Sequence, residues 1–436
     1  MRPTLLLLFI VTAVTTGYDW SPTIGWYDPS STTTVDPTSS ARTSSSLIST
    51  STVATWPWTT ELTSTPWWDS IPVEQQFSPR TRKCSENMKN LWLDIVFVLD
   101  STMGVNRHDF NFQKAMIIGL LDEIKVGQNV GQFTRIAFVN VGRKAHRISN
   151  LTTYNDNQEA RRDIMSQVPF IGDRRLNVGA GLIEAQRIID ESDERPNVRN
   201  VVVLFSSKNV NCQKKSFGRL LDDHPCRIAA TIQERGAILM TVAMNFHETA
   251  EAPLLSLGSP CYATKNDVHF RDNFNRMALN ANCFCHAPYK QFIDENNCQS
   301  FGECLYLAES PTVYPAAKLG CDMDGAYLAD VFDDAKQSFL EHMAVENQQT
   351  PFWIGLNNEN DQRQVMWDSG NRYTSATAYH KFDNSSSSGQ FCTAVEEESH
   401  GREDEFKWTR NDCSYRGPTN YYFCQLKACD TDNYCP

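Results

Sequence analysis

A carboxylate and a hydroxyl close a short apolar segment in the first half of the chain. The segment LDIVFVLDSTMG runs from Leu93 to Gly104 and carries Asp100 and Thr102 near its end. Its apolar residues are typical of a strand that is buried on both faces of a parallel sheet. Ligands and metal ions bind at the carboxyl ends of such strands, and Mg²⁺ prefers oxygen ligands. The sequence therefore predicts that any metal or ligand site lies at this sheet edge.

Motifs of common catalytic sites are absent from the sequence. It has no GxSxG elbow, HExxH helix, P-loop or GxGxxG turn. The nine histidines are scattered, and none is spaced with a carboxylate or cysteine as in a zinc site. Disulfides can occupy most of the fourteen cysteines, which argues against a catalytic thiol. We therefore expect a protein that is not an enzyme.

The start of the chain and its cysteine content favour export. Arg2 precedes the apolar run Leu5–Val14 and the small residues Thr15–Gly17, which is the pattern of a signal peptide. No later segment reaches the roughly 20 apolar residues of a membrane span. The formal net charge of −12 argues against a general nucleic-acid binder. We expect a secreted, extracellular protein with a disulfide framework and no transmembrane anchor.

Composition divides the chain into four parts. Ser, Thr and Pro dominate the part after the signal, which cannot bury enough apolar surface to fold and reads as a disordered, O-glycosylated stalk. The next part alternates strands and helices, and the last is rich in cysteines and aromatic residues. The predicted bounds are 1–17 for the signal peptide, 18–83 for the stalk, 84–282 for the first domain and 283–436 for the second.

Strand–helix alternation in the first domain predicts a doubly wound α/β fold with a mostly parallel sheet. The predicted strands are Leu93–Leu99, Arg135–Val141, Val201–Phe205 and Ile238–Met244. The predicted helices are Phe110–Ile124, Asn157–Val168, Gly179–Glu191 and Cys226–Gly236. The second domain is predicted to be small, α+β and stapled by disulfides, with helices at Ala316–Leu319 and Ala335–Met343 and strands at Phe352–Leu356 and Tyr421–Cys424.

Four segments in order, LDIVFVLDSTMG, RIAFVNVG, RLNVGAGLIEA and NVVVLFSS, resemble a von Willebrand factor type A (vWA) domain over roughly 90–281. The resemblance implies a Rossmann-like fold that often holds Mg²⁺ or Mn²⁺ at the sheet edge. The implied ligands are an Asp-x-Ser-x-Ser loop, a Thr from a second loop and an Asp after a central strand. An acidic residue of a partner completes the coordination.

Several of these ligand positions are degenerate in this chain. Asp100 matches the first ligand, and Thr102 keeps a hydroxyl at the first Ser position. Gly104 replaces the second Ser, Leu176 falls at the Thr position, and Ser207 falls at the last Asp position. A single carboxylate competes poorly with water for Mg²⁺. We expect no metal here, and we expect Asp100 to cap the following helix or to accept hydrogen bonds from loop amides.

The second domain resembles a C-type lectin-like domain over about 285–425. The marks are the segment AAKLGCDMDGAYLA, the WIGL strand at Trp353–Leu356, and four ordered cysteines. The resemblance implies that Trp353 and its neighbours belong to the core. The disulfides that it implies are Cys321–Cys424 and Cys392–Cys413.

Calcium-dependent lectins of this family bind sugar hydroxyls on Ca²⁺, which needs several carboxylate and amide oxygens. The first ligand group of the family falls on Phe382 and Asn384. The second falls on Thr409 and Arg410, which follow Trp408, the tryptophan that the family motif also has. A cation thus replaces a cation ligand, so we expect no Ca²⁺ site of the usual kind. Binding without calcium through aromatic residues stays open. The candidates are Tyr373, Tyr379 and Phe382.

Two sequons predict N-glycosylation at Asn150 and Asn384, as is usual on surface loops of secreted proteins. Spacing does not fix the remaining cysteines. The pairings left open are Cys212–Cys226, Cys84 with Cys261 or Cys283, Cys304 with Cys298 or Cys285, and Cys429–Cys435.

The order of signal, stalk, vWA-type domain and lectin-like domain resembles a family of secreted invertebrate C-type lectin-like proteins. That resemblance implies extracellular recognition, in defence or matrix contact. The first hypothesis is binding of glycan or microbial-surface ligands without the usual Ca²⁺ site. The alternative is a protein-interaction module in which the vWA-type domain contacts a matrix or membrane partner. Neither hypothesis requires a cofactor.

Overall fold

The structure is a computed structural model that describes residues 80–212, 223–244, 256–294, 297–374, 378–382, 389–399 and 404–435. The predicted signal peptide, the stalk up to residue 79 and the sequon asparagine Asn384 lie outside these residues. Both predicted domains belong to one compact unit. They are named below the first lobe (84–282) and the second lobe (283–435). No helix among the described residues is long and apolar enough to cross a membrane.

A six-stranded sheet forms the centre of the first lobe. Its strands are β1 (Leu93–Asp100), β2 (Arg135–Val141), β3 (Ala145–Arg147), β4 (Arg199–Ser206), β5 (Ile238–Ala243) and β6 (Ala263–Lys265). Their order in the sheet is β3-β2-β1-β4-β5-β6, and every neighbouring pair is parallel except β2 and β3. The doubly wound α/β fold predicted from the sequence is confirmed.

Helices cover both faces of this sheet, because the strand residues that point to either face are apolar. The helices are α1 (Asn106–Leu121), α2 (Asn157–Ser166), α3 (Val178–Asp190), α4 (Pro225–Glu234) and α5 (Phe270–Ala281). Ile95 and Phe97 of β1 pack with α1, α2 and α5, whereas Val96 and Val98 pack with α3 and α4. The helix predicted at Phe110–Ile124 begins earlier, at Asn106, whose side-chain oxygen caps the first turn by accepting a hydrogen bond from the backbone N–H of Asp109 at 3.0 Å.

The second lobe is built around a mostly antiparallel sheet. Its elements are β7 (Lys290–Asp294), β8 (Gln299–Leu307), α6 (Tyr314–Met323), β9 (Tyr327–Leu328), α7 (Asp334–Glu346), β10 (Phe352–Asn357), β11 (Met366–Trp367), β12 (Cys392–Ser399), β13 (Asp404–Asn411) and β14 (Tyr421–Lys427). The main sheet runs β13-β12-β10-β14-β8-β7. Trp353, Ile354 and Leu356 of β10 are fully buried, as expected for core residues.

Seven disulfides staple the described residues, and none of the cysteines is free. The structure forms the two pairs that the lectin resemblance implies. Of the pairings left open, it forms Cys84–Cys283, Cys212–Cys226, Cys285–Cys304 and Cys429–Cys435. The remaining pair, Cys261–Cys298, was not anticipated, and like Cys84–Cys283 it joins the two lobes across the predicted domain boundary.

Both ends of the folded region tie the lobes together. Arg82, inside the predicted stalk, donates its backbone N–H to Glu303 Oε1 at 2.6 Å and its Nη2 to Asp430 Oδ2 at 2.7 Å. The C-terminal tail returns to the first lobe, where the ring of Tyr434 packs edge-on against Trp92 at 4.8 Å between centroids. These contacts fix the second lobe against the base of the first, at the opposite end of β1 from Asp100.

Candidate functional site

The buried carboxylate of Asp100 lies at the carboxyl end of β1, where the sequence predicts it. Its Oδ1 accepts hydrogen bonds from the backbone N–H of Thr102 at 3.0 Å and from the Thr102 hydroxyl at 2.7 Å. Its Oδ2 accepts from the backbone N–H of Ser207 at 2.7 Å and from the Ser207 hydroxyl at 2.5 Å. Asp100 is fully buried. The four donors from Thr102 and Ser207 therefore take the place of water at both of its carboxylate oxygens.

The strand order explains why these residues meet. β1 lies directly beside β4, so Ser207, which follows β4, reaches the end of β1. Of the two roles expected for Asp100, the structure shows hydrogen bonds to loop amides, whereas the first turn of α1 is capped by Asn106. The structure places Asp100, Thr102 and Ser207 in hydrogen-bond contact.

The other two predicted positions contribute no oxygen. Gly104 lies so close to Ser207 that a Cβ placed on it would be 2.5 Å from Ser207 Oγ. Leu176 is partly buried against the apolar layer between the sheet and α3. The five positions together offer one carboxylate and two hydroxyls, and both hydroxyls donate to that carboxylate. This oxygen set fits Mg²⁺ or Mn²⁺ poorly, because the ion needs near-octahedral oxygen coordination.

In the second lobe, β13 carries the positions that match the lectin calcium motif. Trp408 is fully buried and donates its indole N–H to Gln337 Oε1 at 2.9 Å, so it is a core residue. Thr409 donates its hydroxyl to Glu396 Oε1 at 2.7 Å, and Asn411 donates its amide to Thr409 Oγ1 at 2.9 Å. The polar groups nearest to the motif are thus bonded to one another along the β12–β13 hairpin.

Asp412, the remaining acid near the motif, is held in a turn. Its carboxylate accepts from the backbone N–H of Ser414 and from the Ser414 hydroxyl, each at 2.9 Å. These bonds hold the pKa of Asp412 below its usual range. As with Asp100 in the first lobe, donors of the chain itself already bind this carboxylate.

Arg410 occupies the centre of this region. Its guanidinium stacks on Phe382 at 4.4 Å and on Phe391 at 5.2 Å from the ring centroids. Burial raises the pKa of Tyr373, and the charge of Arg410 opposes that shift. Phe382 in turn packs edge-on against Trp408.

A cavity of about 630 Å³ opens beside Arg410. Its described lining is basic and aromatic: Arg363, Gln364, Val365, Arg372, Tyr373, Thr374, His380, Phe382, Phe391 and Arg410. Two of the three aromatic candidates from the sequence, Tyr373 and Phe382, line it. The third, Tyr379, donates its hydroxyl to Asp334 Oδ1 at 3.0 Å and is not among the lining residues.

A buried polar network supports one wall of this cavity, and sequence reasoning missed it. Lys336 is fully buried, and its ammonium donates to Glu303 and, at 2.6 Å, to Gln425 Oε1. Asp330 lies beside this network and accepts at 3.4 Å from the amide of Asn371, next to Arg372. Burial raises the pKa of Asp330 to about 6, although Lys336 opposes the shift. In the sequence, these residues are only isolated polar positions among apolar ones, and their separation along the chain does not show that they meet in the fold.

The Gly104→Ser substitution tests the packing at Asp100. The new Cβ would displace the Ser207 hydroxyl from Asp100, leaving a buried carboxylate with fewer donors, so we expect a loss of about 1–3 kcal/mol in the free energy of unfolding. Gly119→Ser in α1 is the matched control, because a Cβ there meets no atom within 4 Å. Denaturant unfolding measures both, and equal stability of the two variants would contradict the geometry.

The raised pKa of Asp330 predicts that the Asp330→Asn substitution increases the free energy of unfolding in a pH-dependent way. Because the folded-state pKa is raised above the ordinary value, the ionised side chain destabilises the fold above pH 6 and the effect vanishes below pH 3.8. The variant should therefore unfold with a free energy up to about 3 kcal/mol higher than wild type at pH 8 and show little gain at pH 4. A gain of equal size at both pH values would contradict this account.

Comparisons with known proteins agree with this division of the chain. The von Willebrand factor type A domain model matches residues 94–279, and the Lectin C-type domain model matches residues 310–426. The "C-type lectin domain-containing protein 160" of Caenorhabditis elegans is 24% identical over 380 residues, which is 81% of this chain. The chain spans 56% of the length of that relative.

Solved structures resemble each lobe separately. The mouse scavenger receptor C-type lectin carbohydrate-recognition domain is 16% identical, with a TM-score of 0.25, and the match covers 33% of this chain and 96% of that one. Proximal thread matrix protein 1 from the mussel byssus, solved with a zinc-occupied MIDAS motif, is 18% identical, with a TM-score of 0.34, and the match covers 44% of this chain and 47% of that one. The two family models together show that the chain carries a von Willebrand factor type A domain followed by a C-type lectin domain.

Proposed function

We propose that this protein is a non-enzymatic extracellular recognition protein that binds saccharides of glycans or microbial surfaces through its C-type lectin domain without Ca²⁺. The seven disulfides fit an oxidising compartment, and the domain types fit recognition or adhesion. A role in innate defence follows if the saccharide is microbial.

The cavity beside Arg410 is the observation that carries this proposal. Its volume of about 630 Å³ is that of a small-ligand site. It lies where the resemblance puts the sugar-binding calcium ion, yet the lining offers guanidinium groups and aromatic rings in place of carboxylates. Aromatic faces pack against the apolar face of a sugar ring, and guanidinium groups donate hydrogen bonds to its oxygens.

We propose the same loss of metal dependence for the vWA domain. The Asp100 carboxylate already accepts four hydrogen bonds from Thr102 and Ser207. A divalent ion would have to break these bonds and would gain only one charged ligand in return. Recognition by either domain should therefore persist when divalent ions are removed.

A glycan array with and without EDTA tests saccharide binding. We expect binding to a subset of glycans that EDTA leaves unchanged, and a drop of about tenfold in affinity for Tyr373→Ala, because that ring lines the cavity. Tyr415→Ala is the matched control, since Tyr415 is 76% exposed on the same lobe and does not line the cavity. Binding abolished by EDTA, or absent from every glycan, would refute the proposal.

A second candidate function rests on the carboxyl edge of the vWA sheet. A cleft of about 560 Å³ there is lined by Arg143, Arg175 and Lys208, and no carboxylate is among its described lining residues. The cleft includes Leu176 and Lys208, which lie at or next to positions that match metal ligands of the family, so these cations stand beside the place where the family binds a metal ion and a partner's acidic residue. The cleft therefore fits an acidic segment of a matrix or membrane protein.

Charge reversal tests this second function. Arg143→Glu/Arg175→Glu should abolish capture of an acidic extracellular partner in pull-downs, and capture by the wild-type protein should weaken with salt but survive EDTA. Arg235→Glu, on an exposed pair with Asp190 away from the cleft, is the control. Capture that the double variant retains would exclude this edge as the interface.

A further inference from the structure

We infer that the cavity of the second lobe selects saccharides that carry a negative group, either a sulfate or a carboxylate, through Arg363, Arg372 and Arg410. This inference deepens the proposed function and rests on it. It assigns the cavity a ligand class by charge, whereas the proposed function requires only that some saccharide binds without Ca²⁺.

The charge of the described lining is entirely positive. Three guanidinium groups and His380 face the cavity, and none of the ten described lining residues is acidic. This local excess is notable in a chain whose formal net charge is −12. Acidic groups elsewhere repel an anionic ligand from most of the surface, so the cavity concentrates it at one place.

Arg410 is held as a fixed donor rather than a loose surface charge. It lies on β13, paired with Thr393 of β12, and its guanidinium stacks on the rings of Phe382 and Phe391. Stacking of this kind restricts the side chain before a ligand arrives. A planar guanidinium presents paired N–H donors that match the two oxygens of a carboxylate or sulfate.

The other two arginines project from hydrogen-bonded turns. Arg372 pairs with Met366 across a bridge, and Tyr373 N–H donates to Val365 O at 3.1 Å, which closes this turn. Arg363 N–H donates to Asp361 Oδ1 at 2.9 Å. The backbone positions of both arginines are therefore fixed, while their exposed side chains adjust to the ligand.

The aromatic lining favours a saccharide over a bare anion. Tyr373, Phe382 and Phe391 supply apolar surface beside the cations. A free sulfate would use only the charges, whereas a sugar ring with a charged substituent uses both the rings and the charges. The volume of about 630 Å³ also exceeds what a single small anion occupies.

Direct binding measurements with paired ligands test the inference on the full chain. The probes are a heparin-derived hexasaccharide and its desulfated form, and sialyllactose and lactose. We expect at least tenfold tighter binding of the charged member of at least one pair, in EDTA, with affinity falling as salt increases. Sodium sulfate and a poly-glutamate peptide at matched charge are the competitors, and neither should bind as tightly as the charged saccharide.

Three variants locate the site. Arg410→Gln and Arg372→Gln should each weaken binding of the charged saccharide about tenfold or more and should reduce the preference over its neutral partner. Arg416→Gln, an exposed arginine on the β13–β14 loop outside the cavity lining, is the matched control and should bind as wild type. Arg372→Gln keeps the test decisive if removing the stacked Arg410 perturbs folding, which near-ultraviolet circular dichroism reports.

The outcomes separate this inference from the proposed function. Equal binding of charged and neutral saccharides in EDTA would overturn the inference and leave the proposed function standing. Binding of no saccharide at all would overturn both. Charged-saccharide binding that both Arg410→Gln and Arg372→Gln retain would place the anion elsewhere. Binding of sulfate or poly-glutamate as tight as that of the saccharide would overturn saccharide selectivity.

Discussion

Both candidate sites depend on one constraint: hydrogen-bond donors of the chain itself already bind the carboxylates that lie there. Asp100 accepts four hydrogen bonds from Thr102 and Ser207, and Asp412 accepts two from Ser414. A carboxylate in this state is already stabilised, so a divalent ion gains little by replacing its donors. The folds normally use such carboxylates for metal-mediated recognition, whereas this chain uses them to fix loops.

In the proposed function, arginine takes the electrostatic place of the metal at both sites. At the vWA edge, Arg143 and Arg175 line the cleft beside the position of the missing ligands, and in the lectin domain Arg410 replaces a ligand itself. A guanidinium group carries one charge and needs no anionic cage, because stacking on rings such as Phe382 supports it. Under the proposed function, both domains use a cationic recognition surface in place of a bound ion.

Much of the first lobe could be predicted because fully buried parallel strands read as unbroken apolar runs. β2 has the predicted bounds, and β1 and β5 differ from prediction by one residue. The β12–β13 hairpin was not predicted, because the three consecutive glutamates Glu396–Glu398 hide the alternation of β12, although Phe406 and Trp408 of β13 do alternate with polar residues. The positions that match metal ligands could be found by counting along the motifs. The cavity could not be predicted, because the turn that carries Arg372 meets β13 only through tertiary packing.

Calorimetric titration of Mg²⁺ and Ca²⁺ into the purified full chain tests the central claim most directly. Extracellular calcium modules bind with dissociation constants of about 0.1–1 mM, so a functional site would give a saturable heat in this range. The account predicts no saturable heat for either ion. A stoichiometric binding curve that Asp100→Ala or Asp412→Ala abolishes would show that the carboxylates exchange their internal donors for a metal, and it would contradict the account.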